Sequence, residues 1–515
     1  MTSFRGKNPT ALAFGTSGLR GLVSDITDLE AYINTRGFLD YLGARERVVA
    51  LAGDLRPSTD RILIAVASAI ETAGCSVDFL GKVPTPALTY YALERSRPSV
   101  MVTGSHIPFD RNGIKFSKPD GEVLKDDETG ILEAVANVRE AEYRRSREES
   151  LFSDDGMLND TRPLPPVNND GSELYLRRYL DFFPASGLLG KRIVVFEHSA
   201  VGRGLLVEIL TRLGARVVPT GRSEAFIPID TEDITPQRLA DLQEMADAEA
   251  DGTDAPDAIV STDGDSDRPL VAGVDVNGRV RFFGGDLLGI IVAKYLGADA
   301  VAIPIRANDA VDLELDNVTK TKIGSPYVVK AMQEAEGDNV VGWEANGGFL
   351  TGSVFEKDGR TLGPLPTRDA VLPILCALYA SVEKECTLTE LFSELPPRFS
   401  RAGLIDEFPR EASLEIIRRF TPEGPEDFAS IAAELSKFFT PELGFDAITD
   451  INTLDGLRIF FANGDIAHIR PSGNAPQLRI YAVANTEARA EEIIALALRE
   501  PDGILRALAT ARTSR

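Results

Sequence analysis

Short apolar runs alternate with longer amphipathic ones along most of the chain. Val48-Val49-Ala50-Leu51-Ala52 is followed by a polar loop and a periodic apolar run that reaches Ala73-Gly74-Cys75-Ser76-Val77. Ile193-Val194-Val195-Phe196 leads through a polar, Gly-containing loop to a second periodic run ending at Leu213-Gly214-Ala215-Arg216-Val217. Each stretch reads as strand, loop, helix, tight Gly turn and strand. A third, weaker copy starts at Ala300-Val301-Ala302-Ile303-Pro304-Ile305. Strands alternating with helices of this length predict βαβ units in parallel or mixed sheets.

The pattern changes near the C-terminus. Leu457-Arg458-Ile459-Phe460-Phe461 and Asp465-Ile466-Ala467-His468-Ile469 flank Ala462-Asn463-Gly464, and Asn-Gly between alternating runs signals a hairpin. A further strand follows at Leu478-Arg479-Ile480-Tyr481, then a helix over Glu487 to Leu498. The expected architecture is three similar α/β domains and a C-terminal α+β domain. A charged, Pro-rich stretch from Arg144 to Val167 precedes the amphipathic helix of Leu174–Leu180, and Pro396-Pro397 closes the third module. The boundaries drawn from these breaks are 1–165, 166–273, 274–395 and 396–515. Asp251 to Pro256 is an acidic loop inside the second domain.

Composition narrows the class. A chain of 515 residues is long enough for three or four domains. Three cysteines are too few and too scattered for a disulfide framework or a zinc cluster. Met1 to Thr10 is polar, and no apolar run approaches the ~18 residues of a membrane span, so a cytoplasmic location is expected. A net charge of −24 argues against nucleic acid and anionic membrane as partners, since both need a basic face. An anionic substrate would therefore have to meet a local concentration of Arg and Lys.

Four loops carry candidate chemistry. Asp263-Gly264-Asp265-Ser266-Asp267-Arg268 follows the apolar strand Ala258-Ile259-Val260. Alternate carboxylates on a Gly-containing loop can turn toward one point and cage a hard divalent cation; a solvated acidic turn is the plainer alternative. Neither an EF-hand nor a Walker loop fits, because Arg268 and Val274 occupy the diagnostic EF-hand positions and no Gly-Lys-Ser/Thr occurs. Arg470-Pro471-Ser472-Gly473-Asn474-Ala475-Pro476, with Arg479 beyond, reads as a phosphate cradle of small residues and guanidiniums. Glu344 and Asn346 in Gly342-Trp343-Glu344-Ala345-Asn346-Gly347-Gly348-Phe349 suit vicinal sugar hydroxyls, and Trp343 is read as core. Phe14-Gly15-Thr16-Ser17-Gly18-Leu19-Arg20-Gly21 offers a glycine-loosened turn and a cation. Beside these stands Thr103-Gly104-Ser105-His106-Ile107-Pro108, a serine on a turn after Val100-Met101-Val102, with Lys115 ten residues on.

Together, and in their order along the chain, these stretches resemble the α-D-phosphohexomutases. That family carries a Thr-Ala-Ser-His-Asn-Pro phosphoserine loop, an Asp-Gly-Asp-x-Asp-Arg metal loop, a Gly-Glu-x-Ser-Gly sugar loop and an Arg-x-Ser-Gly-Thr-Glu-Pro phosphate loop. They look like 103–108, 263–268, 344–348 and 470–476 here. Asp54-Leu55-Arg56-Pro57-Ser58, Val83-Pro84-Thr85-Pro86 and Gly113-Ile114-Lys115-Phe116 are softer matches. The sequence departs from the pattern at Gly104, Ile107, Asn346, Gly348, Asn474 and Ala475.

The resemblance implies four domains around a central cleft, the last of them TATA-box-like. It also implies interconversion of hexose 1-phosphate and hexose 6-phosphate through a phosphoserine and a 1,6-bisphosphate. Phosphomannomutase is the expected activity, with phosphoglucomutase or phosphoglucosamine mutase as alternatives within the class. A metal-dependent sugar phosphatase or a non-catalytic sugar-phosphate-binding paralogue stands outside it. Ser105, His106, Lys115, Arg20 and Arg268 are the implied catalytic residues. One Mg²⁺ per chain would sit on Asp263, Asp265, Asp267 and the phosphorylated Ser105. Glu344, Asn346, Arg470, Ser472, Gly473, Asn474 and Arg479 would bind a phosphosugar, and a sugar 1,6-bisphosphate would serve as activator. A monomer or homodimer is expected, and with Gly348 in the sugar loop the general base is open.

Overall fold

The computed structural model describes residues 4–6, 12–15, 18–232, 234–250, 255–472 and 476–510. Part of the acidic loop 251–256, Thr16, Ser17, and the candidate residues Gly473 and Asn474 lie outside the described residues. The chain divides into two compact units, residues 1–302 with 324–392, and residues 303–323 with 393–515.

The first unit is built on three sheets. The first contains Ala13–Phe14 (β1), Gly18–Leu22 (β2), Val48–Gly53 (β3), Ser76–Lys82 (β4), Ser99–Val102 (β5), Arg111–Lys118 (β6) and Gly121–Glu122 (β7). Its order is β1-β2-β6-β5-β3-β4, with β7 beside β6. The second contains Arg192–Phe196 (β8), Arg216–Thr220 (β9), Ala258–Thr262 (β10), Pro269–Val274 (β11) and Val280–Phe282 (β12), in the order β12-β11-β10-β8-β9. The repeats read from the periodicity are here. β3 and β4 are parallel and joined by the helix Thr59–Thr72. β8 and β9 are parallel and joined by Arg203–Arg212. The central strands are predominantly apolar and buried along their length, as strands covered on both faces are.

The third sheet begins at Ala300–Pro304 (β13), whose first residues run parallel to Val340–Trp343 (β15). Val318–Thr321 (β14) belongs to the second unit. Beyond β15 come Phe349–Thr351 (β16), the ribbon Phe355–Lys357 (β17) with Arg360–Leu362 (β18), and Leu365–Asp369 (β19). β15, β16 and β19 pair antiparallel in turn.

One device recurs in all three sheets. A central parallel strand ends, the chain turns, and it returns antiparallel beside itself: β5 to β6, β10 to β11, β15 to β16. The turns are 103–110, 263–268 and 344–348, three of the stretches singled out for chemistry. A hairpin turn at the carboxyl end of a buried parallel strand is rigidly based, yet its side chains leave the ladder and are free to converge.

The second unit carries one antiparallel sheet of Phe399–Ile405 (β20), Ile448–Asn452 (β21), Leu457–Phe461 (β22), Ile466–Pro471 (β23) and Leu478–Ala484 (β24), in the order β20-β24-β23-β22-β21. The Asn-Gly hairpin joins β22 to β23, and Gly464 takes the left-handed φ of 84° that such a turn requires. The helices Arg410–Arg419 and Glu487–Leu498 accompany the sheet in an α+β arrangement. Segment 303–323 is tied into this unit. Asn308 Nδ2 donates to Arg398 O at 2.9 Å, and Arg398 grips Asp309 with Nε and Nη2 at 2.8 Å each.

Candidate active site

Ser105 sits at the first hairpin turn with φ of 56° and its side chain fully buried. The turn is held from behind. Thr103 Oγ1 accepts the Ser105 N–H at 2.8 Å and donates to Asp54 Oδ2 at 2.8 Å. Asp54 also orients Arg56, whose Nη2 donates to Ser105 O at 2.7 Å and Ile107 O at 2.6 Å. Nη1 of the same residue reaches Pro108 O at 2.7 Å and Arg111 O at 3.0 Å. One guanidinium thus gathers three carbonyls of the turn and that of Arg111 at the start of β6, and Phe226 stacks on it at 4.0 Å.

The serine faces the second turn. Its hydroxyl donates to Asp263 Oδ2 at 2.6 Å, and His106 Nδ1 lies 3.4 Å from Ser105 Oγ. Asp263, Asp265 and Asp267 are all buried, and each offers a carboxylate oxygen within 4.8 Å of the others. Such crowding has to be offset by cations. Lys115, from β6, donates to Asp265 Oδ2 at 2.6 Å and Asp267 Oδ2 at 2.8 Å. Arg268 Nε lies 3.6 Å from Asp267 Oδ1 and 3.9 Å from Asp263 Oδ2. Thr85 Oγ1 donates to Asp265 Oδ2 at 2.6 Å.

The charges divide unequally. Burial, and then the like charges of Asp265 and Asp267, push the Asp263 carboxyl well above the usual carboxylate range. Burial also works against ionised Asp267, but Arg368, Lys115 and Arg268 outweigh it and hold that carboxyl low. The Lys115 ammonium pays for its burial through Asp265 and Asp267, and the balance raises it. Burial, with Arg268 and Arg20, pushes His106 down to about 2, so its ring is neutral. Arg20 still reaches solvent, yet the protein packed around it and the nearby Arg268 bring it down to about 10.

A divalent cation fits this arrangement. Asp265 Oδ1 and Asp267 Oδ1 are buried with no hydrogen-bond partner. Buried oxygens of ionised carboxylates are rarely left bare, and hard oxygen donors of this kind are what Mg²⁺ or Ca²⁺ takes.

The third turn reaches the same cluster through a residue that the sequence did not single out. Arg368, on β19, donates from Nη2 and Nε to Asp267 Oδ2 at 2.9 and 3.2 Å, and from Nη1 to Glu344 Oε2 at 2.8 Å. Asn346 Oδ1 accepts Gly348 N–H at 3.0 Å, and its carbonyl accepts Thr231 Oγ1 at 2.8 Å. Glu344 and Asn346 are both buried, and Trp343 beside them is fully so, in the core as read. No motif marks Arg368; it lies in an ordinary strand, and only the packing of β19 brings it here. Arg56 and Thr85 lie in stretches already noted for their likeness to the family pattern, which gave them no role.

The phosphate-loop candidates lie in the second unit. Arg470 Nε is paired with Asp455 Oδ1 at 2.9 Å, and Arg479 Nη2 reaches Gln477 Oε1 at 3.3 Å. The Ser472 N–H is committed to Gln477 O at 2.9 Å. That N–H is therefore not one of the free donors expected of the cradle.

Models of the phosphoglucomutase/phosphomannomutase family match the chain in three places. These are α/β/α domain I over residues 11–142, α/β/α domain III over 284–399, and the C-terminal domain over 417–499. The chain is 38% identical to a phosphomannomutase of Salmonella muenchen, with 95% of each chain covered. It is 39% identical to a phosphomannomutase of Sinorhizobium fredii, covering 94% of this chain and 98% of the relative. A phosphoglucomutase/phosphomannomutase family protein of Burkholderia thailandensis shares the fold at a TM-score of 0.71 and 18% identity, covering 97% of this chain and 98% of that one.

Proposed function

The chain belongs to the phosphoglucomutase/phosphomannomutase family, the α-D-phosphohexomutases, and from that premise we propose that mannose phosphate is the hexose phosphate it interconverts between its 1- and 6-forms. It is an isomerase of the mutase type. The choice of sugar rests on the two phosphomannomutases it resembles at 38% and 39% identity over nearly their whole length. The observation that carries the chemistry is the Ser105 hydroxyl, 2.6 Å from Asp263 at the edge of the carboxylate cluster.

In this reading Ser105 carries the phosphoryl group. Mg²⁺, held by Asp263, Asp265, Asp267 and a phosphoserine oxygen, would supply charge neutralisation. The need is plain: three carboxylates and a phosphoserine of about −2 sum to about −5, against +2 from one ion. Lys115, Arg268 and Arg20 supply further positive charge to a site that must accept a second phosphate. The Ser105 Oγ–P bond breaks as the free sugar hydroxyl forms its own bond to phosphorus, giving the 1,6-bisphosphate. The hydroxyl proton passes to the neutral ring of His106, whose Nδ1 lies 3.4 Å from Ser105 Oγ and returns a proton to that leaving oxygen, while the Lys115 ammonium only offsets negative charge. The bisphosphate then turns around and returns its other phosphoryl to Ser105. Glu344 and Asn346 hold sugar hydroxyls, and Arg470, Ser472, Gly473, Asn474 and Arg479 hold the phosphate that is not reacting. A sugar 1,6-bisphosphate would prime the dephosphorylated enzyme. A cytoplasmic location, as a monomer or homodimer, completes the proposal.

The test is to assay the protein with mannose, glucose and glucosamine 1-phosphates, Mg²⁺ and trace bisphosphate, alongside Ser105→Ala. Mannose 1-phosphate should give the highest kcat/KM, and the variant should lose at least about 10³-fold, the scale of losing a covalent nucleophile. Full activity in Ser105→Ala overturns the phosphoserine route, and exclusive use of another sugar overturns the substrate.

A further inference from the structure

We propose that Arg368 is a positioning residue that ties the sugar-loop carboxylate of Glu344 to the triad carboxylate of Asp267, and that Gly348 is glycine because the stem of Arg368 fills the space beside it. The proposal builds on the mutase reading above and adds a residue to its machinery.

Three observations converge on it. First, a single guanidinium spans two functional turns. It reaches Asp267 Oδ2 at 2.9 and 3.2 Å and Glu344 Oε2 at 2.8 Å. Arg368, Glu344 and Asp267 are all buried, at 8%, 6% and 1% exposure. Arg368 is the shared member: removing it leaves two buried carboxylates short of a cation, whereas changing Glu344 leaves both Arg368 contacts to Asp267 in place.

Second, Arg368 and Lys115 share one oxygen of Asp267. Lys115 Nζ lies 2.8 Å from the same Oδ2, while Oδ1 has no hydrogen-bond partner and lies 3.6 Å from Arg268 Nε. The carboxylate is thereby held with one oxygen satisfied and the other without a hydrogen bond. That is what a partner behind a metal ligand does: it fixes the ligand's orientation, and its loss typically costs about 10–100-fold in metal affinity.

Third, the stem is fitted into place. A Cβ at Gly348 would lie 2.6, 2.7 and 2.9 Å from Cδ, Cγ and Cβ of Arg368. Contacts that close with the root of a side chain cannot be relieved by moving its tip. The strand around Arg368 is pinned as well. Thr367 Oγ1 donates to Glu122 Oε1 at 2.6 Å, and Asp369 accepts the Tyr175 and Tyr179 hydroxyls at 2.6 and 2.5 Å. Any side chain at 348 therefore displaces the guanidinium while leaving its charge in the protein.

The consequence is that the grip on the sugar and the grip on the metal share one support. Glu344 alone serves the sugar; Arg368 serves both.

The experiment compares Arg368→Met, Gly348→Ala and Glu344→Gln with the wild type. Two quantities are read: the Kd for Mg²⁺ by isothermal titration calorimetry on dephosphorylated protein, and KM and kcat for the sugar phosphate. Arg368→Met and Gly348→Ala are each expected to raise the Mg²⁺ Kd by about 10-fold or more and to raise KM together with it. Glu344→Gln is expected to raise KM while leaving the Mg²⁺ Kd within about twofold, since Asp267 keeps its support. A Mg²⁺ Kd within about twofold of wild type in folded Arg368→Met overturns the proposal. Should that variant not fold, an unchanged Kd in Gly348→Ala, where the arginine remains, does the same. If the wild type shows no mutase activity while the Mg²⁺ Kd of Arg368→Met and Gly348→Ala still rises as expected, the functional reading falls and this one stands.

Discussion

The Arg56 guanidinium occupies the space where a side chain at Gly104 would be: a Cβ there would lie 2.6 Å from Arg56 Cζ and 2.7 Å from its Nε. The family pattern has alanine at this position, so the glycine is a departure that the structure explains. Arg56 lies flat against the backbone of the serine turn and holds its carbonyls at 2.6 to 3.0 Å.

Gly104→Ala should therefore disturb the serine without touching any reacting group. The methyl group must push Arg56 off the turn, and kcat should fall by about 10- to 100-fold, the scale of a reacting atom misplaced by about 1 Å. Steady-state kinetics with a thermal melt at saturating Mg²⁺ checks it. A variant with wild-type kcat would show that the turn holds its shape without Arg56.

Metal binding should be visible as stability. An ion that binds only the folded chain, at one hundred times its Kd, adds about 2.7 kcal/mol. Thermal melts in EDTA and in excess Mg²⁺ should thus separate for the wild type. Asp263→Asn keeps an acceptor for Ser105 and resembles the protonated acid that its surroundings favour. Its melt in EDTA should stay close to that of the wild type, and most of the Mg²⁺-induced shift should vanish.

Stability should fall on acidification because His468 is buried neutral. Burial, then the Arg458 cation, lowers its pKa from 6.5 to about 3. Its Nε2 donates to Asp455 O at 2.8 Å, and Nδ1 has no partner. The unfolded chain takes up a proton below pH 6.5 and the folded one does not. The contribution is therefore complete above that pH and is lost progressively toward pH 3, with about 2 kcal/mol gone at pH 5. Urea midpoints at pH 7.5 and 5 should diverge less in His468→Gln than in the wild type. His198, lowered to about 4 by burial, adds an effect of the same sign.

Arg398→Met tests how segment 303–323 is held. The guanidinium grips Asp309 bidentately at 2.8 Å, with side chains 5% and 20% exposed. Losing the cation strands a carboxylate that still touches water, so the cost should be on the order of 2 kcal/mol, below that of a fully buried pair. Hydrogen exchange should show lost protection at 303–323. Unchanged exchange there would assign the anchoring to Asn308 instead.

Much of the architecture was readable because it is local. Periodicity located β3, β4, β8, β9 and the hairpin of β22 and β23, since each is specified by its own alternation and turn residues. The carboxylate triad was readable because its members share one turn, and Ser105 because it begins another. The phosphate loop was readable as a motif, though Gly473 and Asn474 lie outside the described residues. Ile107 departs from the family pattern without consequence for one visible function: the turn uses its carbonyl, not its side chain.

The sequence by itself determined the strand–helix–strand repeats, the C-terminal hairpin, and which turns carry Ser105, the three carboxylates, and Glu344 with Asn346. Tertiary structure alone decided how the charges are shared. Lys115 reaches Asp265 across 150 positions, and Arg368 reaches Asp267 across 101. Such pairings depend on which strand edge lies beside which turn, and on the space that Gly104 and Gly348 leave for two arginine side chains. Propensity and periodicity are set by near neighbours along the chain; the electrostatics of a buried site are set by neighbours in space.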